Sequence, residues 1–260
     1  MNGSLPVPLG TITAHLDSLL RIREIPDDPN AVNGLQVENS GDVGRIVAAV
    51  DASQATIDGV TSSQSPGQAT LGLVHHGLFW DGNVPLAGRR RRRIKALLDS
   101  DTALYSAHIP LDVHPELGNN VSLARLLGVE IDGWFGKYLG IPVGVHGRIE
   151  VNREALVRRI DEGLGTQSTL IAGGPAHVGR VGIITGGAGN MIAAARDAGL
   201  DTYITGEGAH YTYFDAMEWG INVIYAGHYA TEKLGVQRLA EHLAARFGIP
   251  WEFHEHDTGL

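Results

Sequence analysis

The chain has 260 residues, no cysteine and a formal net charge of −9 at pH 7. The lack of cysteine excludes disulfides, iron–sulfur clusters and thiolate chemistry, so any bound metal would need imidazole or carboxylate ligands. The acidic balance argues against non-specific binding to nucleic acid or an anionic membrane. No stretch is long and apolar enough to span a bilayer, and residues 1–10 do not resemble a secretion signal, so we expect a cytoplasmic protein without a membrane partner.

Apolar patterning predicts alternating helices and strands in the first half of the chain. Residues 12–23 have roughly helical spacing, and short apolar runs that are typical of buried strands follow. The predicted strands are residues 46–50, 71–74 and 104–109, with helices from residue 53, over 94–98 and over 120–127. Gly128 is predicted to end the last of these helices.

The second half repeats this alternation. Its predicted strands are residues 141–151, 181–185, 202–205 and 222–225, with helices over 190–198 and 232–247. The strand–helix–strand segments that begin at Arg45 and Arg180 have similar lengths, which indicates a duplicated unit. We therefore expect an α/β fold of two similar units, residues 1–130 and 131–260, with an approximate boundary and a C-terminal segment that can pack on the first unit.

Five consecutive arginines occupy residues 89–93. The run is typical of the solvated start of a helix, or of an interface, and this is the interpretation that we favour. The alternative is a phosphate or nucleic-acid patch.

Potential metal ligands follow several predicted strands. His75 and His76 follow one strand, Asp112 another and His228 a third. In α/β sheets, ligands gather outside the carboxyl ends of the strands. Adjacent residues of a strand point to opposite faces, so one metal cannot easily take both of the paired histidines unless the strand turns there, which Gly77 would allow, whereas two metals could take one each. A histidine at a strand end is more often simply hydrogen-bonded, so the pattern alone leaves both interpretations open.

His228 and Glu232 are four residues apart. If Thr231 caps the final helix, Glu232 lies in its first turn and His228 in the preceding loop, where both can point into one cleft. A carboxylate has two oxygens and can bridge two cations, whereas an imidazole cannot.

Three motifs resemble a known family, the dinuclear-metal-centre proteins labelled GTP cyclohydrolase 1 type 2 homologue, also called Nif-three-like. The likeness extends over nearly the whole chain, and the motifs occur in the family's order. They are Val-His-His-Gly-Leu-Phe-Trp at residues 74–80, Ser-Ala-His-Ile-Pro-Leu-Asp at 106–112 with His-Pro-Glu-Leu-Gly-Asn-Asn at 114–120, and Gly-His-Tyr-Ala-Thr-Glu at 227–232.

This resemblance implies two intertwined α/β units with a dinuclear metal site in the cleft between them, and a toroidal homohexamer built as a trimer of dimers. It implies two divalent ions per chain, and the cysteine-free ligand set suits zinc, manganese, iron or nickel. The longer members have an inserted middle domain, which we do not expect in this chain at 260 residues. The implied ligands, with the last as the bridge, are His75, His76, Asp112, His228 and Glu232.

The same resemblance implies a metal-dependent hydrolase acting on a small molecule. The family label implies opening of the guanine ring of GTP at C8, which gives formate and 7,8-dihydroneopterin triphosphate. His108 and Glu207 are the predicted catalytic acid–base residues. Two alternatives remain open at this point: a non-catalytic metal-binding or adaptor protein, and a metal-dependent phosphoesterase.

Overall fold

The computed structural model describes residues 6–62 and 69–260. Within these ranges, no helix has the length and apolar character needed to cross a membrane. The expectation for residues 1–10 falls partly outside them. The strands are β1 (Val7–Pro8), β2 (Gly34–Val37), β3 (Asp42–Val43), β4 (Arg45–Asp51), β5 (Thr70–His76), β6 (Thr102–Ser106), β7 (Glu130–Tyr138), β8 (Ile141–Asn152), β9 (Thr169–Ala172), β10 (His177–Ile183), β11 (Thr202–Thr205), β12 (Asn222–Tyr225) and β13 (Trp251–Phe253).

The helices alternate with these strands, and a 3-10 turn at Gly189–Met191 directly precedes α7. They are α1 (Leu9–Leu19), α2 (Gln54–Ser62), α3 (Gly88–Asp99), α4 (Ile109–Asp112), α5 (Asn119–Leu127), α6 (Arg153–Leu164), α7 (Ile192–Asp197), α8 (Thr212–Trp219) and α9 (His228–Phe247).

The first of two compact units, unit 1, comprises residues 1–111 and 236–256. Its five-stranded sheet has the order β13-β4-β5-β6-β2, in which β2 is antiparallel and the other four strands are parallel. Strands β4, β5 and β6 are almost wholly buried, as expected for parallel strands with both faces covered. Ile57 of α2 and Leu97 of α3 pack into the same apolar core as Val74 and Leu104.

Unit 2 comprises residues 112–235 and 257–260. Its six-stranded sheet has the order β7-β8-β10-β11-β12-β9, with β10, β11 and β12 parallel and the remaining pairs antiparallel. Helices α5 and α6 contribute Leu127 and Ile160 to the core, where they join Val181, Ile204 and Ile224 of the three parallel strands.

The two units share a pattern, which confirms the predicted α/β class with two similar units. In each, three consecutive parallel strands are followed across the sheet by an antiparallel one: β4-β5-β6 by β2, and β10-β11-β12 by β9. The chain leaves unit 1 after Leu111 and returns to it at Val236. The division into domains 1–130 and 131–260 stays a prediction, because compactness does not test which segments fold independently.

One predicted boundary near the site is wrong. Helix α9 begins at His228 rather than at residue 232, so Thr231 lies inside the helix and does not cap it. Gly227, with φ of +88°, turns the chain directly into the helix. The backbone N–H of Tyr229, one of the first-turn donors, bonds to the carbonyl of Leu260. His228 and Glu232 are therefore one turn apart on one helix face.

Candidate metal centre

The carboxyl ends of three parallel strands in unit 1 carry polar side chains. Strand β4 ends at Asp51 and β5 at His76, and these two residues are register partners. Strand β6 ends at Ser106, two residues before His108. Because parallel strands place their carboxyl ends at the same edge of a sheet, the fold brings these groups together.

Three imidazoles form a cluster at this edge. The ring centroids of His75 and His76 are 4.7 Å apart, and those of His75 and His108 are 5.0 Å apart. One potential ligand atom from each of the three side chains lies within 4.8 Å of the other two. Although both residues belong to β5, their rings are in contact, which differs from the opposite orientations expected of neighbours in a regular strand.

Each of the two adjacent histidines has Nδ1 bound to an oxygen. Nδ1 of the buried His75 lies 2.8 Å from the carbonyl of Ala107, to which it must donate. Nδ1 of His76 lies 2.8 Å from Oδ1 of Asp51. Both contacts favour the tautomer in which Nδ1 carries the proton and Nε2 carries a lone pair, which is the form that ligates a metal.

His108 is held in the same way by Asp27, a residue that sequence reasoning missed. Nδ1 of His108 lies 2.9 and 3.0 Å from the two carboxylate oxygens of Asp27. Asp27 also accepts hydrogen bonds from the side chain of Asn33 and the backbone N–H of Ile109. Burial alone would raise the pKa of Asp27, but the contacts with His108 and Asn33 outweigh it and hold that pKa below its usual range.

In unit 2, a cluster of polar side chains follows the carboxyl ends of β11 and β12. Nδ1 of His228 lies 2.8 Å from Oε1 of Glu207, and its Nε2 lies 3.1 Å from Oε2 of Glu232. Burial would lower the pKa of His228, but Glu232 and then Glu207 outweigh it and raise that pKa to about 9. At neutral pH the imidazole is therefore a cation between two carboxylates, and a metal ion would have to displace its proton.

The backbone at Gly186 lies very close to the side chain of Glu232. Gly186 has φ of +71°, and a Cβ there would overlap Oε1 of Glu232. The backbone N–H of Gly186 donates to Oγ1 of Thr231 at 3.0 Å, which ties this turn to α9. The glycine at residue 186 therefore makes room for the carboxylate of Glu232.

Asp112 is buried and oriented by an asparagine. Its Oδ1 accepts a hydrogen bond from Nδ2 of Asn119 at 2.8 Å. Oδ1 of Asn119 accepts in turn from the backbone N–H of Gly235 in α9, at 2.6 Å. Sequence reasoning included Asn119 in a motif but gave it no role. The hydrogen bond from Gly235, which is 116 residues away in the chain, fixes the side chain of Asn119.

The structure thus groups the predicted residues within each unit. In unit 1, it brings His75 and His76 together with His108, and adds Asp51 and Asp27 as hydrogen-bond partners. In unit 2, it brings His228 and Glu232 together with Glu207. Imidazole nitrogen is a donor that zinc, iron, nickel and manganese accept, so the group formed by His75, His76 and His108 could hold a metal ion.

Comparison with known sequences gives consistent matches over nearly the whole chain. A family model described as Duf34/NIF3 (NGG1p interacting factor 3) matches residues 8–258. A relative from Deinococcus radiodurans named "GTP cyclohydrolase 1 type 2 homolog" is 40% identical over 247 residues, which cover 94% of this chain and 92% of the relative. A relative of the same name from Yersinia pestis is 42% identical over 226 residues, covering 86% of this chain and 88% of the relative.

Comparison with solved structures also gives matches over nearly the whole chain. Protein ybgI, described as of unknown function, is 35% identical with a TM-score of 0.89, covering 98% of this chain and 100% of that one. TTHA1606 from Thermus thermophilus is 38% identical with a TM-score of 0.87 and the same coverage. Reduced HcgD from Methanocaldococcus jannaschii, at 20% identity and a TM-score of 0.83 over 97% of this chain and all of that one, supports the fold alone. From the family match over residues 8–258 and the relatives' identity, the chain belongs to the Duf34/NIF3 (NGG1p interacting factor 3) family.

Proposed function

We propose that this protein binds two divalent metal ions through His75, His76, Asp112, His228 and Glu232, and that it is a metal-dependent hydrolase. The observation that carries the proposal is the hydrogen bonding behind the histidines. In each of the three, Nδ1 meets an oxygen at 2.8 Å, two of these oxygens belonging to carboxylates and one to a backbone carbonyl. Such contacts commonly fix the orientation and raise the basicity of metal-binding imidazoles.

The carboxylates complete a suitable ligand set. Asp112 and Glu232 are both buried, and an ionised carboxylate is costly to bury unless a cation or hydrogen-bond donors compensate for it. When bound, a pair of divalent ions supplies Lewis-acid activation of water and substrate. Glu207 is half-exposed and bonded to His228, so it can hold or move a proton there; this acid–base role remains a prediction.

GTP is the first substrate to test, because the relatives have the name "GTP cyclohydrolase 1 type 2 homolog". Hydrolysis at C8 of the guanine ring would release formate.

We also propose the toroidal homohexamer as the assembly, for which light scattering at micromolar concentration is the direct test.

The experiment is metal analysis of protein purified without added metal, followed by a hydrolysis screen with the metal found. We expect about two ions per chain and, with GTP, release of formate. Release of phosphate from nucleotides or sugar phosphates would instead favour a phosphoesterase. Two bound ions without turnover of any substrate would favour a metal-binding or adaptor role. Failure to take up metal even after reconstitution would contradict the whole proposal.

A further inference from the structure

The arginine run at the start of α3 places three of its five side chains on one face of the helix. Arg89, Arg92 and Arg93 are related by steps of three and four residues, so they are neighbours on the helix surface. Arg90 is buried, and Arg91, two residues from both Arg89 and Arg93, lies on the opposite side of the helix. We call Arg89, Arg92 and Arg93 the arginine face.

The positive charge of the arginine face is barely neutralised. Among the residues that the structure describes, Asp81 is the only carboxylate in ion-pair contact with the run. Its nearer contact, at 2.7 Å, is with the buried Arg90, and Arg89 reaches it only at 3.4 Å. The first turn of α3 contains no acidic residue. A chain with a net charge of −9 thus has a local excess of positive charge at this face.

This arrangement is electrostatically unfavourable for the protein alone. Like charges three and four residues apart destabilise a helix, and cations near a helix N-terminus oppose its dipole. Burial lowers the pKa of Arg93, and the charges of Arg89 and Arg92 lower it further, while Asp81 opposes them. In the described part of the chain, Nε of Arg93 is buried and has no hydrogen-bond partner. A bound anion would relieve the repulsion and accept from this donor, whereas a simply solvated helix start would have no buried donor.

The backbone beneath the arginine face is held in place by Arg90. Its guanidinium donates to Asp81 and to the carbonyls of Gly82 and Val84, at 2.6 and 3.0 Å, and lies over the ring of Phe79 at 5.3 Å. These contacts fasten the segment that precedes α3 to the first turn of the helix. A ligand would therefore bind to an ordered backbone and would have to order only side chains.

The size of the face favours a compact anion of high charge. Arg89 and Arg93 are separated by about 6 Å along the helix axis, which is similar to the length of a short phosphate chain. Guanidinium groups match the oxygens of phosphate in bidentate hydrogen bonds. A nucleic acid spreads its charge along the strand, and its binding commonly uses about 6–10 phosphate contacts. The net charge of the chain would also repel a long polyanion beyond the face.

We propose that Arg89, Arg92 and Arg93 bind an oligophosphate chain, which is either free or the phosphate tail of a nucleotide. This site is additional to the proposed metal centre and does not depend on it. Arg90 has a different part, because it stabilises the segment on which the face is built.

The test is calorimetric titration of the metal-free protein with inorganic triphosphate, so that no bound ion can hold the phosphates. We expect micromolar affinity, and the double variant Arg92→Gln/Arg93→Gln should weaken it by at least about tenfold. Arg91→Gln is the matched control, because it removes the same charge from the opposite side of the helix; it should weaken binding by less than about twofold. Equal losses in both proteins, or no binding below millimolar triphosphate, would overturn the proposal.

Thermal unfolding checks the variants without ligand. The double variant should unfold at a temperature at least as high as that of the wild type, because it removes like charges from one helix face. Triphosphate should raise the unfolding temperature of the wild type and of Arg91→Gln more than that of the double variant. The same rise in all three proteins would show that the anion binds elsewhere.

Titrations with GTP and guanosine distinguish the two sources of the phosphate chain. Equal affinities for triphosphate and GTP would indicate a free oligophosphate, and tighter binding of GTP with the same loss in the double variant would indicate a nucleotide tail. Binding of GTP that the double variant leaves unchanged would contradict the proposal. So would a single-stranded oligonucleotide that binds more tightly than triphosphate and is weakened equally by Arg91→Gln. Since each measurement uses metal-free protein, a failure of the proposed metal binding would not affect these results.

Discussion

Asp51 and His76 are register partners at the carboxyl ends of neighbouring strands, and Oδ1 of Asp51 lies 2.8 Å from Nδ1 of His76. The pairing of two parallel strands therefore determines the orientation of a predicted ligand. This relationship does not depend on loops, so we expect a change at Asp51 to act on the orientation of His76 without rebuilding the rest of the site.

Asp51→Asn should weaken binding of one metal ion by about 10–100-fold while leaving the fold intact. The amide keeps the shape of the carboxylate but removes the charge that supports the imidazole. The measurement is zinc titration followed by calorimetry. Glu150→Gln is the matched control, because Glu150 pairs with the exposed His177 outside the site. Equal affinities in both variants would show that Asp51 does not act through His76.

Gly186→Ala should lower metal affinity more than its backbone strain alone explains. A Cβ at residue 186 overlaps Oε1 of Glu232, so the carboxylate must move. Gly199 is a control with similar φ, +66° against +71°, and no atom within 4 Å of its Cβ position. Both alanine variants should lose roughly 1–2 kcal/mol of stability from the positive φ. Only Gly186→Ala should lose metal, as measured by elemental analysis; a similar loss in both variants would contradict this.

Glu232→Gln should lose both ions together with little change in fold. Two nearby cations repel each other, and Asp112 and Glu232 are the anionic members of the five predicted ligands. His228→Ala should instead weaken one ion more than the other. Titration of each variant with zinc or manganese distinguishes the two patterns. Near-native binding of two ions by Glu232→Gln would make Asp112 the better candidate for the bridge.

Arg90→Ala should lower the free energy of unfolding by about 1–3 kcal/mol, whereas Arg91→Ala should change it by less than about 0.5 kcal/mol. Arg90 is buried and donates to Asp81 at 2.7 Å and to the carbonyls of Gly82 and Val84 at 2.6 and 3.0 Å. Arg91 is exposed. Denaturant unfolding of both variants provides the comparison, and equal losses would mean that these hydrogen bonds do not stabilise the fold.

Acidification should destabilise the protein partly through His15. Burial, then Arg246 and His242, lower the pKa of His15, so the folded state resists its protonation. Above the unfolded-state pKa of about 6.5, His15 is neutral in both states and does not reduce the free energy of unfolding. As the pH falls below about 6.5 toward the lowered pKa of the folded state, the unfolded state takes up the proton first, and the free energy of unfolding decreases. His15→Gln should therefore lose less thermal stability than the wild type between about pH 7.5 and 5.5. An equal loss in both proteins would exclude His15 as a source of the effect.

The sequence predicted the central strands well because buried parallel strands are short, β-branched and apolar. Residues 202–205 and 222–225 were predicted with the bounds that β11 and β12 have. The strand-end rule also pointed to His75, His76 and His228. Asp51 directly follows the predicted strand at residues 46–50, so the same rule could have found it.

Other partners could not be predicted, because only the fold brings them near. Asp27 lies 81 residues before His108 in an irregular segment. The arginine run was correctly placed at the start of a helix, but nothing in five identical residues indicates that Arg90 is the buried one. The boundary at His228 was missed because a histidine and a tyrosine give no start signal for a helix.

The edge strand β13 pairs with β4 in the sheet of unit 1, although it lies at the far end of the chain. A ribosome therefore finishes the rest of that sheet long before its last strand exists. Roughly 140 residues must be added after Leu111, which at about 5–20 residues per second takes on the order of ten seconds. Until then the free edge of β4 is a template for any other extended segment. The nascent chain should be most dependent on chaperones during this interval.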